Sequence, residues 1–207
     1  MKSCFITFEG GEGAGKSTQI GILADYLISK GQNIVTTREP GGIDNAEKIR
    51  ELLLSEVENA WDGITEVLLH YAARREHVKK LILPTIQKGG WVLCDRFIDS
   101  TMAYQGYGSG IVKELIKLID QKILNGLRPD LTFVFDLPYE KSVQRLKSRG
   151  SLNRYENMKK EYHERLREGF LEIAYREPER CVIIDAENEI DLVARKIRTI
   201  IHTRFDL

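Results

Sequence analysis

The chain has 207 residues, room for one domain (1–207) with a sizeable core, and no shift in composition points to a second. Its 31 Lys and Arg balance 31 Asp and Glu, so the formal charge is zero, which argues against bulk binding of nucleic acid or anionic membrane and for small-molecule partners. No apolar run approaches the ~18 residues of a membrane-spanning helix and the N-terminus lacks a signal-peptide profile, so a cytoplasmic protein is expected.

In chain order, the first predicted element is a buried strand over 3–8, rich in aromatic and β-branched residues. Directly after it, residues 10–17 read Gly10-Gly11-Glu12-Gly13-Ala14-Gly15-Lys16-Ser17, a complete G-x-x-x-x-G-K-[ST] phosphate loop followed by Thr18. Gly10, Gly11, Gly13 and Gly15 carry no Cβ, so the backbone can take positive φ and turn successive N–H groups onto an anion. Lys16 supplies a charge for the β- and γ-phosphates, and Ser17 a hydroxyl for Mg²⁺. A helix predicted over 16–30, with Ile20, Leu23, Ala24, Leu27 and Ile28 on one stripe, points its positive end at the same place. Strand, loop and helix in this order predict a nucleoside triphosphate site.

Further strands are predicted over 33–38, 91–95, 131–137 and 181–185, and helices over 44–56, 63–88, 111–126, 139–149, 156–176 and 188–204. Continuous apolar strands alternating with helices predict an α/β fold, a five-stranded parallel sheet with helices on both faces. Gly31, Gly89-Gly90 and Gly126 stand where helices should stop. Cys4, Cys94 and Cys181 each fall in a strand-like run and read as buried free thiols, and neither they nor His70, His77, His163 and His202 show zinc-ligand spacing.

Ligands of such sheets bind beyond the carboxyl ends of the strands, and there the charges gather: Arg38-Glu39-Pro40-Gly41-Gly42 after the second strand, Asp95-Arg96 after the third. The chain lacks the Asn-Lys-x-Asp element of a guanine-specific switch and has no transporter-type signature. A small kinase needs a cationic second phosphate site, for which Arg50, Arg74, Arg75 and Arg96 are available, and a water-excluding lid. The segment 149–155, with Arg149 and Arg154, suits the lid, because planar guanidinium groups match a phosphoryl oxygen pair better than Lys does.

Over essentially its whole length the chain resembles the thymidylate kinases in their bacterial form. The resemblance rests on Phe8 to Thr18, on Arg38-Glu39-Pro40-Gly41-Gly42, on Tyr71-Ala72-Ala73-Arg74, on Asp95-Arg96-Phe97 with Ser100-Thr101 and Ala103-Tyr104-Gln105-Gly106, and on Arg128-Pro129-Asp130-Leu131-Thr132. It implies a P-loop nucleoside monophosphate kinase fold, phosphoryl transfer from ATP-Mg to dTMP giving dTDP and ADP on the route to dTTP, and a homodimer packed through long helices. Within that pattern Arg96 and Arg50 resemble the clamp on the dTMP phosphate, and Glu12 the acid near the sugar 3′-hydroxyl. Glu39 resembles a carboxylate near the acceptor phosphate and magnesium, and Asp95 a magnesium partner beside Ser17. Arg74 is similar to the reader of thymine O4, Thr101 and Gln105 to the groups around N3, and Tyr104 to the ring under the deoxyribose. The variable loop positions carry no Arg, so Arg149 and Arg154 take the place of transition-state cations, as in the bacterial arrangement. His70 stands where the family stacks a Phe on thymine, and is expected either to stack there or to fill space beneath the pocket. The same machinery would serve another monophosphate kinase, acting on dUMP, UMP, CMP or AMP, and the phosphate loop alone would serve a non-enzymatic nucleotide-binding regulator. Arg74, Thr101 and Gln105 favour a 4-oxo pyrimidine.

Overall fold

The computed structural model describes residues 3–55, 61–147, 155 and 158–207. Five strands, β1 (Cys4–Gly10), β2 (Ile34–Arg38), β3 (Trp91–Asp95), β4 (Leu131–Asp136) and β5 (Cys181–Asp185), form one parallel sheet in the order β2-β3-β1-β4-β5. The predicted strands all form, within two residues of their expected ends. Helices α1 (Lys16–Ser29) and α2 (Asp44–Leu54) follow the first two strands, and α3 runs over 63–87. Then come α4 over 98–108, α5 (Lys113–Leu124), α6 (Tyr139–Lys147), α7 (Lys160–Arg176) and α8 (Ile190–Phe205).

Side chains of β1 alternate between two cores, as the strand period of two requires. Ile6 and Phe8 pack with Leu23 and Leu27 of α1 and Ile197 and Ile201 of α8. Phe5 faces the other way, onto Val78 and Ile82 of α3, Val92 and Phe97. Gly31, Gly89 and Gly126 have φ of 80°, 79° and 82°, so each ends its helix in the left-handed conformation expected of it. Cys4, Cys94 and Cys181 are buried and unbridged.

Two features depart from the sequence reading. The long helix 63–88 forms as α3 but contains a π turn at Val78–Ile82, where the Leu83 N–H reaches back to the Val78 carbonyl. Pro84 lies just beyond it; with no N–H to give and a ring that crowds the preceding turn, it interrupts the ordinary ladder there. The segment 98–108, not predicted as helix, forms α4: one α-turn (Ile98–Thr101) running into a π segment (Met102–Gly108). Its glycines hid it, and they have a packing cause. A Cβ on Gly108 would lie 2.6 Å from the Tyr162 ring of α7, and one on Gly169 of α7 would lie 2.6 Å from the Tyr107 ring of α4.

Parallel pairing sets Phe8 beside Asp95, and Arg38 beside Asp95 on the other side, so β1, β2 and β3 end level at one edge. Among the described residues, no helix is long and apolar enough to cross a membrane. Gly10 closes β1 at φ 129°, and a Cβ there would sit 2.5 Å from the Phe135 carbonyl oxygen of β4. Gly10→Ala should therefore destabilise the fold by ~2–4 kcal/mol through strain and overpacking. Gly11→Ala, where a Cβ meets nothing within 4 Å, should change stability by less than ~0.5 kcal/mol. Urea unfolding of both variants checks the contrast.

Candidate active site

The phosphate loop runs from the end of β1 into α1. Gly10, Gly13 and Gly15 take positive φ (129°, 70° and 87°). Gly11, equally free to do so, does not. Lys16 folds over the loop, donating from Nζ to the Gly11 carbonyl at 2.8 Å and the Gly10 carbonyl at 3.1 Å. Burial and then the Arg96 charge push the pKa of this ammonium below its ordinary value. Helix α6 braces the loop from behind, where Ser142 Oγ donates to the Glu12 carbonyl at 2.8 Å. Arg145 ties Ala186, after β5, to the same loop through the Ala186 and Gly13 carbonyls at 2.8 and 3.3 Å. Sequence reasoning missed both residues, since neither spacing nor charge sets them apart on an amphipathic helix.

Beside the loop, Arg96 holds a left-handed backbone conformation at φ 71°, unusual for a residue with a side chain and a mark of over-determined functional geometry. Its guanidinium donates to Glu12 Oε1 at 2.8 Å, to the Gly10 carbonyl at 3.0 Å and to Ser100 Oγ at 3.2 Å, and lies 4.9 Å from the Tyr104 ring centre. Glu12 also accepts from Tyr104 Oη at 2.9 Å. Burial alone would raise the Glu12 pKa, but the charges of Arg96 and Lys16 and the tyrosine hydrogen bond outweigh it and hold it down at about 2.

Ser17 Oγ donates to Asp95 Oδ2 at 2.7 Å, while Asp95 Oδ1 is buried without a hydrogen-bond partner among the described residues. A hydroxyl and a carboxylate oxygen side by side at the phosphate loop are the hard oxygen donors that Mg²⁺ takes together with phosphates, so these two residues fit that ion. Glu39 lines the same cavity as these two residues. Its Oε2 receives Arg74 Nε at 2.6 Å and its Oε1 receives His77 Nδ1 at 2.9 Å, so both oxygens point into a buried cluster.

Arg74 is 2% exposed, and its Nη2 donates to the Phe97 carbonyl and to Thr101 Oγ1, each at 2.9 Å. Nη1 has no partner among the described residues. Thr101 thus holds Arg74. Gln105 donates to Glu66 Oε1 at 2.7 Å, and the Tyr155 hydroxyl donates to the same oxygen at 2.9 Å. His70 lies 3.3 Å from that hydroxyl through Nε2. Glu66 was not anticipated, because an acid in a helix interior reads as solvent-facing until the neighbouring elements are packed around it. Arg50 donates to the Pro40 carbonyl at 2.7 Å.

These groups enclose one cavity of about 250 Å³. Glu12 to Ser17 border it on the phosphate-loop side, Asp95 and Arg96 in the middle, and Glu39, Arg50, His70, Arg74, Thr101, Tyr104 and Gln105 on the far side. Gly10, Gly11 and Thr18 do not line it; the first two lie behind Lys16 and Thr18 is exposed on α1. Arg149 and Arg154 lie outside the described residues.

Beneath the cavity runs a buried polar seam with no counterpart in the sequence reading. Glu9 Oε1 accepts from the Phe97 N–H at 2.7 Å and Glu9 Oε2 from Ser100 Oγ at 2.6 Å. Arg180 grips Asp99 with two bonds of 2.7 and 3.0 Å and donates to Thr132 Oγ1 at 2.6 Å.

A phosphate loop on the central strand of a 2-3-1-4-5 parallel sheet, facing a second cationic pocket across one cavity, defines the P-loop kinases that act on small nucleotides. A family model described as thymidylate kinase matches residues 8–197. The thymidylate kinase of Caulobacter vibrioides is 51% identical over 203 residues, 98% of each chain. That of Exiguobacterium sibiricum is 46% identical over 191 residues, 92% of this chain and 90% of the other. The crystal structure of thymidylate kinase from Ehrlichia chaffeensis superposes with a TM-score of 0.78 at 37% identity, covering 97% of this chain and 99% of that one. This chain belongs to the thymidylate kinase family.

Burial, then the nearby Asp99 charge, push the Glu9 pKa up to about 7. A carboxyl whose pKa is higher folded than unfolded favours the fold below the unfolded value, near 4.5, and loses that contribution as pH rises through about 7. The unfolding free energy of Glu9→Gln should therefore fall less steeply than that of the unaltered protein between pH 5 and pH 8. Denaturant titrations across that range measure the two slopes.

Proposed function

We propose that this chain transfers the γ-phosphoryl group of ATP to the phosphate of dTMP, giving dTDP and ADP for dTTP synthesis. The observation that carries this reading is the shared cavity, in which Lys16 and the phosphate loop face Arg96 and Arg74. A dTMP phosphate oxygen attacks the γ-phosphorus, the bond to the β,γ-bridging oxygen breaks, and ADP departs with that electron pair. The attacking oxygen is already ionised near neutral pH, so the protein needs no strong base; its work is alignment and charge neutralisation.

Loop N–H groups and Lys16 hold the β- and γ-phosphates, and Ser17 and Asp95 would hold Mg²⁺, which neutralises charge on the same phosphates when bound. Arg96, kept in place by Glu12 and stacked over Tyr104, meets the acceptor phosphate together with Arg50, and Glu12 lies toward the sugar 3′-hydroxyl. Arg74 offers Nη1 to thymine O4, with Thr101 and Gln105 toward N3 and His70 at the base. Arg149 and Arg154 are the proposed cations for the moving phosphoryl. The reading extends to one kinase domain over 1–207, a cytoplasmic setting and a homodimer. Ile64 and Leu68, one turn apart on α3, leave apolar surface exposed and support a helix-packed pair.

Lys16→Ala should lower kcat by ~10²–10³-fold, the usual cost of one preorganised charge contact. A coupled ADP-release assay with dTMP tests it; near-normal turnover would refute the phosphate-loop role.

Thymine presents an acceptor at position 4 and cytosine a donor, so a guanidinium N–H favours the first by ~1–3 kcal/mol in a desolvated pocket. Arg74→Ala should narrow the dTMP/dCMP ratio of kcat/KM by about 5- to 150-fold. The variant also strips Glu39 of its cation and should lose ~3 kcal/mol or more of stability, so the ratio, measured on folded protein, is the test.

A further inference from the structure

Behind the pocket two periodicities mesh. Thr37 and Glu39 are two residues apart at the end of β2, and Arg74 and His77 are three apart on α3, so each pair shares a face. His77 is fully buried and bridges the two elements, with Nδ1 2.9 Å from Glu39 Oε1 and Nε2 2.8 Å from Thr37 Oγ1. Because the Glu39 carboxylate can only accept, Nδ1 carries the proton, and Nε2 meets the Thr37 hydroxyl, which can donate or accept. Gly42 closes over this contact at φ 85°; a Cβ there would collide with both Thr37 Oγ1 and His77 Nε2. The second glycine after Pro40 is thus required by the imidazole.

The consequence reaches the pocket through Glu39. With Oε1 held by His77, Oε2 is fixed against Arg74 Nε at 2.6 Å. Nη2 of that guanidinium is spent on Phe97 and Thr101, and Nη1 is left as its free donor among the described residues. A planar guanidinium fixed at Nε and Nη2 has one orientation left for Nη1.

We infer that His77 is a positioning residue for base recognition, holding Glu39, and through it Arg74, in the orientation that reads the acceptor base. This rests on the assignment of Arg74 to thymine O4 made above. A histidine that only filled the core would affect stability and turnover without selecting between bases. A positioning histidine changes affinity for dTMP and the choice of base, because a loosened guanidinium no longer discriminates O4 from an amino group.

The test compares His77→Phe, which keeps a ring and removes both hydrogen bonds, with His77→Asn, whose amide nitrogen can take the place of Nδ1. Steady-state kinetics are run with dTMP and dCMP, with KM for ATP as control and thermal unfolding to confirm folded enzyme. His77→Phe should raise KM for dTMP and reduce the dTMP/dCMP ratio of kcat/KM, each by about tenfold, as loss of one charge-assisted bond implies. Its kcat for dTMP and KM for ATP should stay within about twofold, and His77→Asn should recover most of the ratio. Thr37→Val, on a half-buried edge strand, should reduce the ratio about threefold and serves as the second variant if His77→Phe does not fold. In the unaltered protein, ¹⁵N chemical shifts of His77 should report a protonated Nδ1. An Nε2–H tautomer, or a wild-type ratio in His77→Phe or in Thr37→Val, would overturn the inference. Arg74→Ala in the same panel separates the two readings: if it leaves the ratio unchanged, the base-reading role of Arg74 has failed, whereas a collapsed ratio there beside a normal one in His77→Phe rejects the relay alone.

Discussion

Parallel registration of β1 against β3, which sets Phe8 beside Asp95, is the constraint on which the site depends. It brings the phosphate loop level with the Asp95-Arg96 turn, and the β2–β3 pairing adds Arg38 and Glu39 to the same edge. The backbone continues the ladder past the strands: the Arg96 N–H donates to the Phe8 carbonyl at 3.0 Å and the Glu39 N–H to the Asp95 carbonyl at 2.9 Å. A slip of one residue would turn Asp95 away from Ser17 and break the link between the donor and acceptor halves of the cavity.

Below that edge, buried charge keeps the acceptor half rigid. Glu9 holds the first turn of α4 through Phe97 and Ser100, Arg180 holds Asp99 from the β5 side, and Glu39 holds Arg74. Each of these groups would be costly to bury alone and is stable only because its partners are already in place. The cations facing the cavity are therefore fixed, with Glu12, Glu39 and Asp95 at its wall and Glu9 and Asp99 one layer behind. Such an arrangement suits a reaction whose catalysis is alignment and electrostatics, since little reorganisation is left to occur at the moment of transfer.

Motif-based and packing-based information divide clearly among the residues of the site. Ser17 and Asp95 stand 78 positions apart and were paired through a family pattern, and the structure sets them 2.7 Å from one another. Glu39 belongs to a motif in the same way, and its carboxylate oxygens meet Arg74 and His77. A strand-end carboxylate has two sides to choose from, and only the position of α3 decides which one it takes. Likewise the partners of Glu9, Glu66 and His77 carry no signal in one dimension. Such a residue, whether in an apolar run like Glu66 or a charged one like His77, is legible as functional only when its hydrogen-bond partners can be seen.

The sequence by itself determined the strands, the phosphate loop, the helix stops at Gly31, Gly89 and Gly126, and the family, because these follow from local conformational preference, from periodicity and from a contiguous octapeptide. Tertiary structure alone decided the helical course of 98–108, whose Gly108 exists to admit Tyr162. It also decided which buried acid serves which cation. Those outcomes depend on contacts between residues tens of positions apart, and a hydrogen bond across that separation leaves no trace in either residue's neighbours along the chain.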